Sequence, residues 1–390
     1  MNAAVDELRG QLERYKSFLA QDPDNANLTY QVAEMLYRLS EFDESNTLID
    51  QALAKHPGEN ALLLLKSNIA MATGQASSAV EILESLIAAG HTDKAIRYNL
   101  AYALLYVGRH EDALSHLDEL QEFSEEMPEV SLLRARVLHH LGDVEQAILS
   151  AEKYLDLNPN SSETSGVLAL LNYDGGQNEI ATKWAEQTLV TNSSNLEALI
   201  TLGSIAVDSQ NGDSAKKHFA TALEKHPTSG RAWSGLGLTD MLGMDIDKAI
   251  DDLGKAVKYM PNHIGTWHAL AWCQLITDDI QSAKKSLLAS LDIDRNFGET
   301  HGGLAVIDVL EGNLDEARIK SKKALRLDPL SFSGRFAQSL LLDRSGNTDD
   351  AKKIIHQILS SKIGDDTETV QMKIARQMKN PEIQRLKKKK

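Results

Sequence analysis

The side chains of this chain that could do chemistry do not form a catalytic arrangement. His139 and His140 are neighbours, and adjacent side chains on a helix point about 100° apart, so they are poorly placed to share a metal ion. Glycine-rich segments at 235–237 and 301–303 resemble pieces of phosphate loops, yet they fall inside predicted helices. The sequence contains no order of serine, histidine and aspartate typical of a catalytic triad and no pair of carboxylates that would form a catalytic pocket. No nucleophile therefore has an evident base. The sequence therefore predicts no enzyme, no metal site and no cofactor.

Side chains suited to binding a partner are more evident than catalytic ones, and they form a cluster of aromatic and basic residues. The cluster contains Tyr98, Tyr102, Tyr106, Arg136, His139, His140 and Tyr173. Aromatic and arginine side chains most often dominate the energetics of protein interfaces. We therefore take this cluster as the first candidate for partner binding.

A period of 34 residues positions these side chains. Alanine recurs every 34 residues from Ala79 to Ala351, with Ser45 one period earlier. A second column, from Ala33 to Ser339, lies twelve residues upstream and contains only glycine, alanine and serine. Ten consecutive repeats share this register, which indicates units that bury their apolar faces only against their neighbours.

Glycine and proline mark the helix boundaries within each repeat. Proline stands at the thirty-second residue of five units, counted from Ala26, and Pro23 has the same phase before the first unit; a helix must stop there. Glycine stands at the fifteenth residue of six units, where it can take the positive φ that ends a helix. Apolar residues between these marks have helical spacing, as in Leu196, Leu199 and Leu202. Each repeat is therefore predicted to be a pair of helices joined by a turn, with the second helix ending before the proline position.

The chain resembles the tetratricopeptide repeat family, most clearly at 197–227 and 231–261, over about residues 26 to 365. The resemblance implies an all-α, right-handed superhelical solenoid of about ten helix-turn-helix units with helical caps. The predicted organisation is an N-terminal capping helix at 1–25, ten repeats at 26–365, a C-terminal capping helix at 366–380 and a basic, disordered tail at 381–390.

The resemblance also implies that first helices line a concave groove and that the fifth and ninth residues of each repeat point into it. These two columns are mostly apolar and aromatic, so we expect an exposed apolar groove that binds an apolar or amphipathic partner segment. The columns and the cluster above together give the predicted partner-binding residues Tyr30, Tyr98, Tyr102, Tyr106, Arg136, His139, Tyr173, His268 and Trp272. Family members that hold the acidic C-terminus of heat-shock chaperones use lysines and asparagines in these slots. Here the columns contain no lysine and only Asn68, so that function is not expected.

Composition limits the partners and the compartment. A formal charge of −15 disfavours a surface that follows nucleic-acid phosphates, so nucleic acid is not expected and basic partners are favoured over acidic ones. Cys273 is the single cysteine, which excludes an intramolecular disulfide, and we expect it to be a buried apolar residue. The N-terminus has no secretory signal and no stretch reaches the ~20 apolar residues of a membrane span, so a cytoplasmic protein is expected.

Three functions remain open at this stage. The leading hypothesis is a non-enzymatic adaptor or scaffold that binds a segment of another protein and supports assembly of a complex. The second is a scaffold that acts through self-association. The third is an accessory subunit that recruits an enzyme to membrane or envelope biogenesis, with the run from Lys387 to Lys390 contacting anionic lipid.

Overall fold

The computed structural model describes residues 2–91 and 93–361, and throughout these residues the regular elements are helical, with no strand. Contacts divide the chain into two compact units, the first ending at Gly175 and the second beginning at Gly176. The predicted C-terminal capping helix at 366–380 and the basic tail at 381–390 lie outside the described residues, as do Lys387 to Lys390. The lipid-contact hypothesis therefore stays a prediction.

The described residues of the first compact unit form ten α-helices. These are α1 Asn2–Gln21, α2 Ala26–Arg38, α3 Phe42–Lys55, α4 Asn60–Ala72, α5 Ala76–Ala88, α6 Lys94–Tyr106, α7 His110–Leu120, α8 Glu129–His140, α9 Val144–Leu157 and α10 Ser162–Asp174. A short 3-10 helix, Gln121–Phe123, follows α7. From α2 onward, even-numbered helices are the predicted first helices and odd-numbered helices the second helices.

The described part of the second compact unit contains eleven α-helices. These are α11 Asn178–Thr191, α12 Leu196–Asp208, α13 Gly212–Lys225, α14 Gly230–Leu242, α15 Ile246–Tyr259, α16 Ile264–Ile276, α17 Ile280–Ile293, α18 Gly298–Glu311, α19 Leu314–Leu327, α20 Phe332–Arg344 and α21 Thr348–Ser360. Consecutive helices of a predicted repeat pack together, as α12 with α13 and α14 with α15. The all-α repeat architecture predicted from the sequence is confirmed.

The two columns of small residues lie at the contact between paired helices. All ten residues of each column are buried in the described chain. Ser45 stands in the alanine column, and its Oγ donates to the carbonyl oxygen of Ala33 in the other column at 2.7 Å. Gly237 shows why the column excludes larger residues, because a Cβ there would lie 2.6 Å from Cγ of Leu253. Small side chains let the paired backbones approach closely.

The predicted helix boundaries also hold. All six helices that precede a phased proline end two residues before it, as α9 ends at Leu157 before Pro159. The fifteenth residue of every repeat has positive φ, from 57° at Gln210 to 83° at Gly312. Four of these residues are not glycine, namely Ser40, Gln210, Met244 and Asp278. The geometry of the hairpin therefore sets this conformation even where the sequence does not supply glycine.

Within the described residues, no helix is both long enough and apolar enough to cross a membrane. Cys273 is buried, as predicted, and its burial raises the pKa of the thiol to about 11.

Candidate functional site

The predicted aromatic cluster lies on three first helices of the first compact unit. Tyr98, Tyr102 and Tyr106 are four residues apart on α6 and therefore share one side of that helix. Helix α8 packs against α6 and carries Arg136 and His139, and α10 packs against α8. We call this surface the tyrosine face, and it comprises Tyr98, Tyr102, Tyr106, Glu129, Arg136, His139, Glu163, Tyr173 and Asp174.

The three tyrosines of the tyrosine face differ in exposure. Tyr106 is 64% exposed and Tyr102 is 37% exposed, whereas Tyr98 is half-buried and packs against the apolar core around Leu100 and Leu104. The rings of Tyr102 and Tyr106 lie 5.1 Å apart at 54°, and their hydroxyl groups share a hydrogen bond of 3.2 Å. Tyr102 and Tyr106 therefore offer the accessible aromatic surface, whereas Tyr98 packs against the core.

Two glutamates and Arg136 lie near the half-buried Tyr98. Burial, with the negative charges of Glu129 and Glu163, raises the pKa of Tyr98 to about 12, and Arg136 lowers it by less than either glutamate raises it. Burial and the hydrogen bond to Tyr106 also raise the pKa of Tyr102. Both hydroxyl groups therefore stay protonated at neutral pH.

An ion pair and a hydrogen bond connect helices α8 and α10 of the tyrosine face. The Arg136 Nη2 atom lies 2.9 Å from Oε1 of Glu163, which joins α8 to α10. The His139 Nε2 atom lies 2.6 Å from Oδ2 of Asp174 and makes a second link between these helices. The side chains of His139 and Asp174 are only 20% and 22% exposed. These two basic side chains thus hold the surface together.

The adjacent histidines diverge as the helical geometry predicts. His139 contacts Asp174, whereas the ring of His140 stacks on that of His110, with centroids 4.7 Å apart at 15°. Among the described residues, no group of three or more histidine, cysteine, aspartate or glutamate side chains is placed to hold a metal ion.

The remaining predicted site residues are not all available to a partner. Tyr173 is half-buried on α10, and Tyr30 is half-buried against the core around Ile49. The Nε2 atom of His268 lies 2.9 Å from Oγ1 of Thr300 and 3.1 Å from Oγ of Ser290. Burial lowers the pKa of His268, which is half-buried, and its place in a partner-binding surface stays a prediction.

The Trp272 side chain belongs to a second aromatic group in the second compact unit. Its ring lies 5.9 Å from that of Phe332 and 6.1 Å from that of Phe336, and the two phenylalanine rings stack at 6.2 Å. Helices α18 and α20 approach so closely that a Cβ on Gly302 would lie 2.3 Å from the backbone nitrogen of Gly334. Trp272 on α16 therefore reaches aromatic side chains on α20, two repeats along the chain.

Most residues of the fifth and ninth columns are half-buried or buried, and the apolar groove stays a prediction. No residue of the fifth column is exposed, and in the ninth column only Tyr102 and Leu238 are exposed. The Asn68 side chain is engaged, since its Oδ1 atom accepts a hydrogen bond from Nδ2 of Asn99 at 2.9 Å.

The sequence reasoning missed the carboxylates of the tyrosine face. Glu129 and Glu163 are both the second residue of their repeats and stand 34 residues apart. Comparing the second residue of every repeat would have revealed these two glutamates. The contact of Asp174 with His139 could not be found in this way, because it depends on how α8 packs against α10.

Comparisons with known proteins agree with this architecture. A family model described as Tetratricopeptide repeat matches residues 30–94, 98–162 and 200–262. No curated protein matches the chain. Among solved structures, an IFIT1 monomeric mutant with Gppp-AAAA has a TM-score of 0.57 and 16% identity, covering 90% of this chain and 94% of that chain. The human IFIT1 dimer with m7Gppp-AAAA has a TM-score of 0.56 and 16% identity, covering 90% and 93%. At this identity the likeness concerns the fold alone.

Proposed function

We propose that this chain, which belongs to the tetratricopeptide repeat family, is a non-enzymatic adaptor that binds a segment of a partner protein at the tyrosine face. The observation that carries the proposal is the exposed, mutually hydrogen-bonded pair Tyr102 and Tyr106 on α6, the helix that packs against α8. Exposed aromatic groups on a preorganised surface are the usual anchors of protein interfaces. Location in the cytoplasm belongs to the same proposal, because the single cysteine makes no disulfide.

Repeated helical hairpins suit this role. Tyr102 and Tyr106 are four residues apart on one helix, so α6 fixes their spacing before a partner arrives and little conformational entropy is lost on binding. A partner segment that covers Tyr102 and Tyr106 would gain apolar burial from two large rings.

The Tyr102→Ala, Tyr106→Ala double variant tests the proposal. Both side chains are partly exposed, so we expect the variant to fold and to lose most of its partner capture in quantitative affinity purification. A matched control is Leu149→Ala, Leu157→Ala, which removes exposed apolar side chains from second helix α9. Equal recovery of the same proteins by wild type and the tyrosine variant would overturn the proposal, and so would recovery of RNA that depends on the two tyrosines.

A second candidate function is self-association through the aromatic group in the second compact unit. Phe332 is 43% exposed and the nearby Leu330 is 75% exposed, so this surface offers apolar area to a second copy. A molar mass that does not change with concentration in light scattering would exclude this function.

A further inference from the structure

We propose that residues 366–380 of this chain cover the aromatic group of the second compact unit, which comprises Trp272, Phe332 and Phe336. The cover is independent of the adaptor proposal, because the tyrosine face belongs to the first compact unit. A cover of this kind requires an aromatic surface that is partly open, a segment with apolar side chains on one side and a short path between the two.

The aromatic group meets the first requirement. The centroids of its three rings lie 5.9, 6.1 and 6.2 Å apart, so Trp272 on α16 and the two phenylalanines on α20 form one continuous surface. Phe332 is 43% exposed, and Leu330, two residues before it, is 75% exposed. Apolar area in contact with water carries a free-energy cost, which a covering apolar segment would remove.

The aromatic group lies on the side of α20 that faces the preceding repeats. Phe332 and Phe336 contact Trp272 on α16, and α18 packs against α20. A helix that only continued the stack of repeats would pack against the opposite side of α20. Covering the aromatic group is therefore a different placement from that of the predicted cap.

The sequence after α21 supplies the apolar side chains. Val370, Ile374 and Met378 stand four residues apart, so they share one side of the predicted helix at 366–380. The flexible thioether of methionine adapts its shape to aromatic rings and makes favourable contacts with them. These three residues are the apolar stripe of the segment.

The path from α21 to the aromatic group is short. Helices α20 and α21 contain 13 residues each, pack together and are joined by three residues, so they form an antiparallel hairpin. The end of α21 at Ser360 therefore returns to the beginning of α20, where Phe332 stands. Val370 follows Ser361 by nine residues, which extend to about 30 Å, whereas a helix is about 10 Å in diameter. The segment can thus pass around α20.

A tethered segment has an advantage over a second copy of the chain. A short linker gives an effective concentration in the millimolar range, far above that of a protein at micromolar concentration. The cover therefore opposes self-association through the aromatic group, and a second copy takes its place only when the segment leaves.

The test measures whether an added copy of the segment finds the aromatic group occupied. A fluorescent peptide of residues 362–380 is titrated with the full chain and with the full-length triple variant Val370→Asp, Ile374→Asp, Met378→Asp, and anisotropy reports binding. We expect the triple variant to bind the peptide about tenfold more tightly than wild type does, because its own segment no longer covers the group.

A matched control separates loss of the apolar stripe from the added negative charge. Met372→Asp, Arg376→Asp changes the net charge by the same amount as the triple variant, and helical spacing places both residues on the side opposite the stripe. This control should bind the peptide as weakly as wild type does.

Further substitutions locate the binding surface. In the triple variant, the additional change Phe332→Asp or Leu330→Asp should reduce peptide binding at least tenfold, whereas Ile319→Asp, at a 61% exposed position on α19, should leave it unchanged. Circular dichroism checks that each variant is folded. The inference is wrong if the peptide binds wild type and the triple variant equally, binds neither, or binds regardless of Phe332 and Leu330.

Light scattering distinguishes the other occupant of the aromatic group. A molar mass of wild type that rises with concentration, and that Phe332→Asp returns to the mass of a monomer, would show that a second copy holds the group and would overturn the cover. A failure of the adaptor proposal leaves all these results unchanged, because its test alters Tyr102 and Tyr106.

Discussion

The positive φ at the fifteenth residue of each repeat gives a prediction in which the same substitution has opposite effects at two sites. Gly312 ends α18 with φ 83° and ψ 7°, whereas Gly254 lies inside α15. At both sites a new Cβ would have no heavy atom within 4 Å, so replacement by alanine creates no clash. Backbone conformation alone therefore decides each effect.

The magnitudes follow from general backbone energetics. A residue with a Cβ in the left-handed region costs about 1–2 kcal/mol, partly offset by the lower entropy of the unfolded chain, so Gly312→Ala should lower the free energy of unfolding by about 1 kcal/mol. Gly254→Ala should raise that free energy by about 1 kcal/mol, because alanine is the better helix former. Met244→Gly should raise it by about 0.5–1 kcal/mol by relieving the left-handed conformation of a half-exposed side chain.

Urea unfolding followed by circular dichroism measures all three effects. The three sites lie in the same compact unit, so their transitions can be compared even though repeat proteins depart from two-state behaviour. If Gly312→Ala raises the urea midpoint as Gly254→Ala does, the left-handed turn does not constrain the folded hairpin and the reasoning fails.

Two further predictions concern packing and pH. A Cβ at Gly235 would lie 2.3 Å from Cζ of the buried Phe219, so Gly235→Ala should lower the free energy of unfolding by about 1–3 kcal/mol. The second change in Gly235→Ala, Phe219→Leu should restore part of the loss in urea unfolding, and no effect of the single variant would contradict the close contact. His263 caps α16 through Nδ1, which accepts the backbone N–H of Thr266 at 3.2 Å, and burial lowers its pKa below the ordinary value of 6.5. The unfolded chain therefore takes up the proton first, so stability conferred by neutral His263 decreases as pH falls below 6.5. His263→Asn, which caps without titrating, should reduce the difference in urea midpoint between about pH 7.5 and 5.5, and an unchanged difference would show that His263 does not contribute to it.

Much of the repeat could be predicted from residue size and backbone preference alone. Alanine, serine and glycine at fixed spacing indicate where two helix backbones touch, because only small side chains fit between them. Phased proline ends a helix wherever it stands, since it lacks a backbone N–H. These are local constraints, and each holds whatever the neighbouring repeat does.

The candidate site was only partly predictable. The spacing of Tyr98, Tyr102 and Tyr106 placed them on one side of a helix, and the structure retains that arrangement. Exposure was not predictable, because it depends on how closely first helices pack, and that packing half-buries His268 but leaves Tyr106 open.

The sequence by itself determined the helices, their boundaries and the side chains that each helix can present, because short-range sterics and hydrogen bonding act within one repeat. Tertiary structure alone decided the positive φ of Met244, the contacts of Arg136 with Glu163 and of His139 with Asp174, and the contact of Trp272 with Phe332. These features join helices of different repeats or follow from the closure of a hairpin. Their energies depend on distances between helices, which no local pattern of residues specifies.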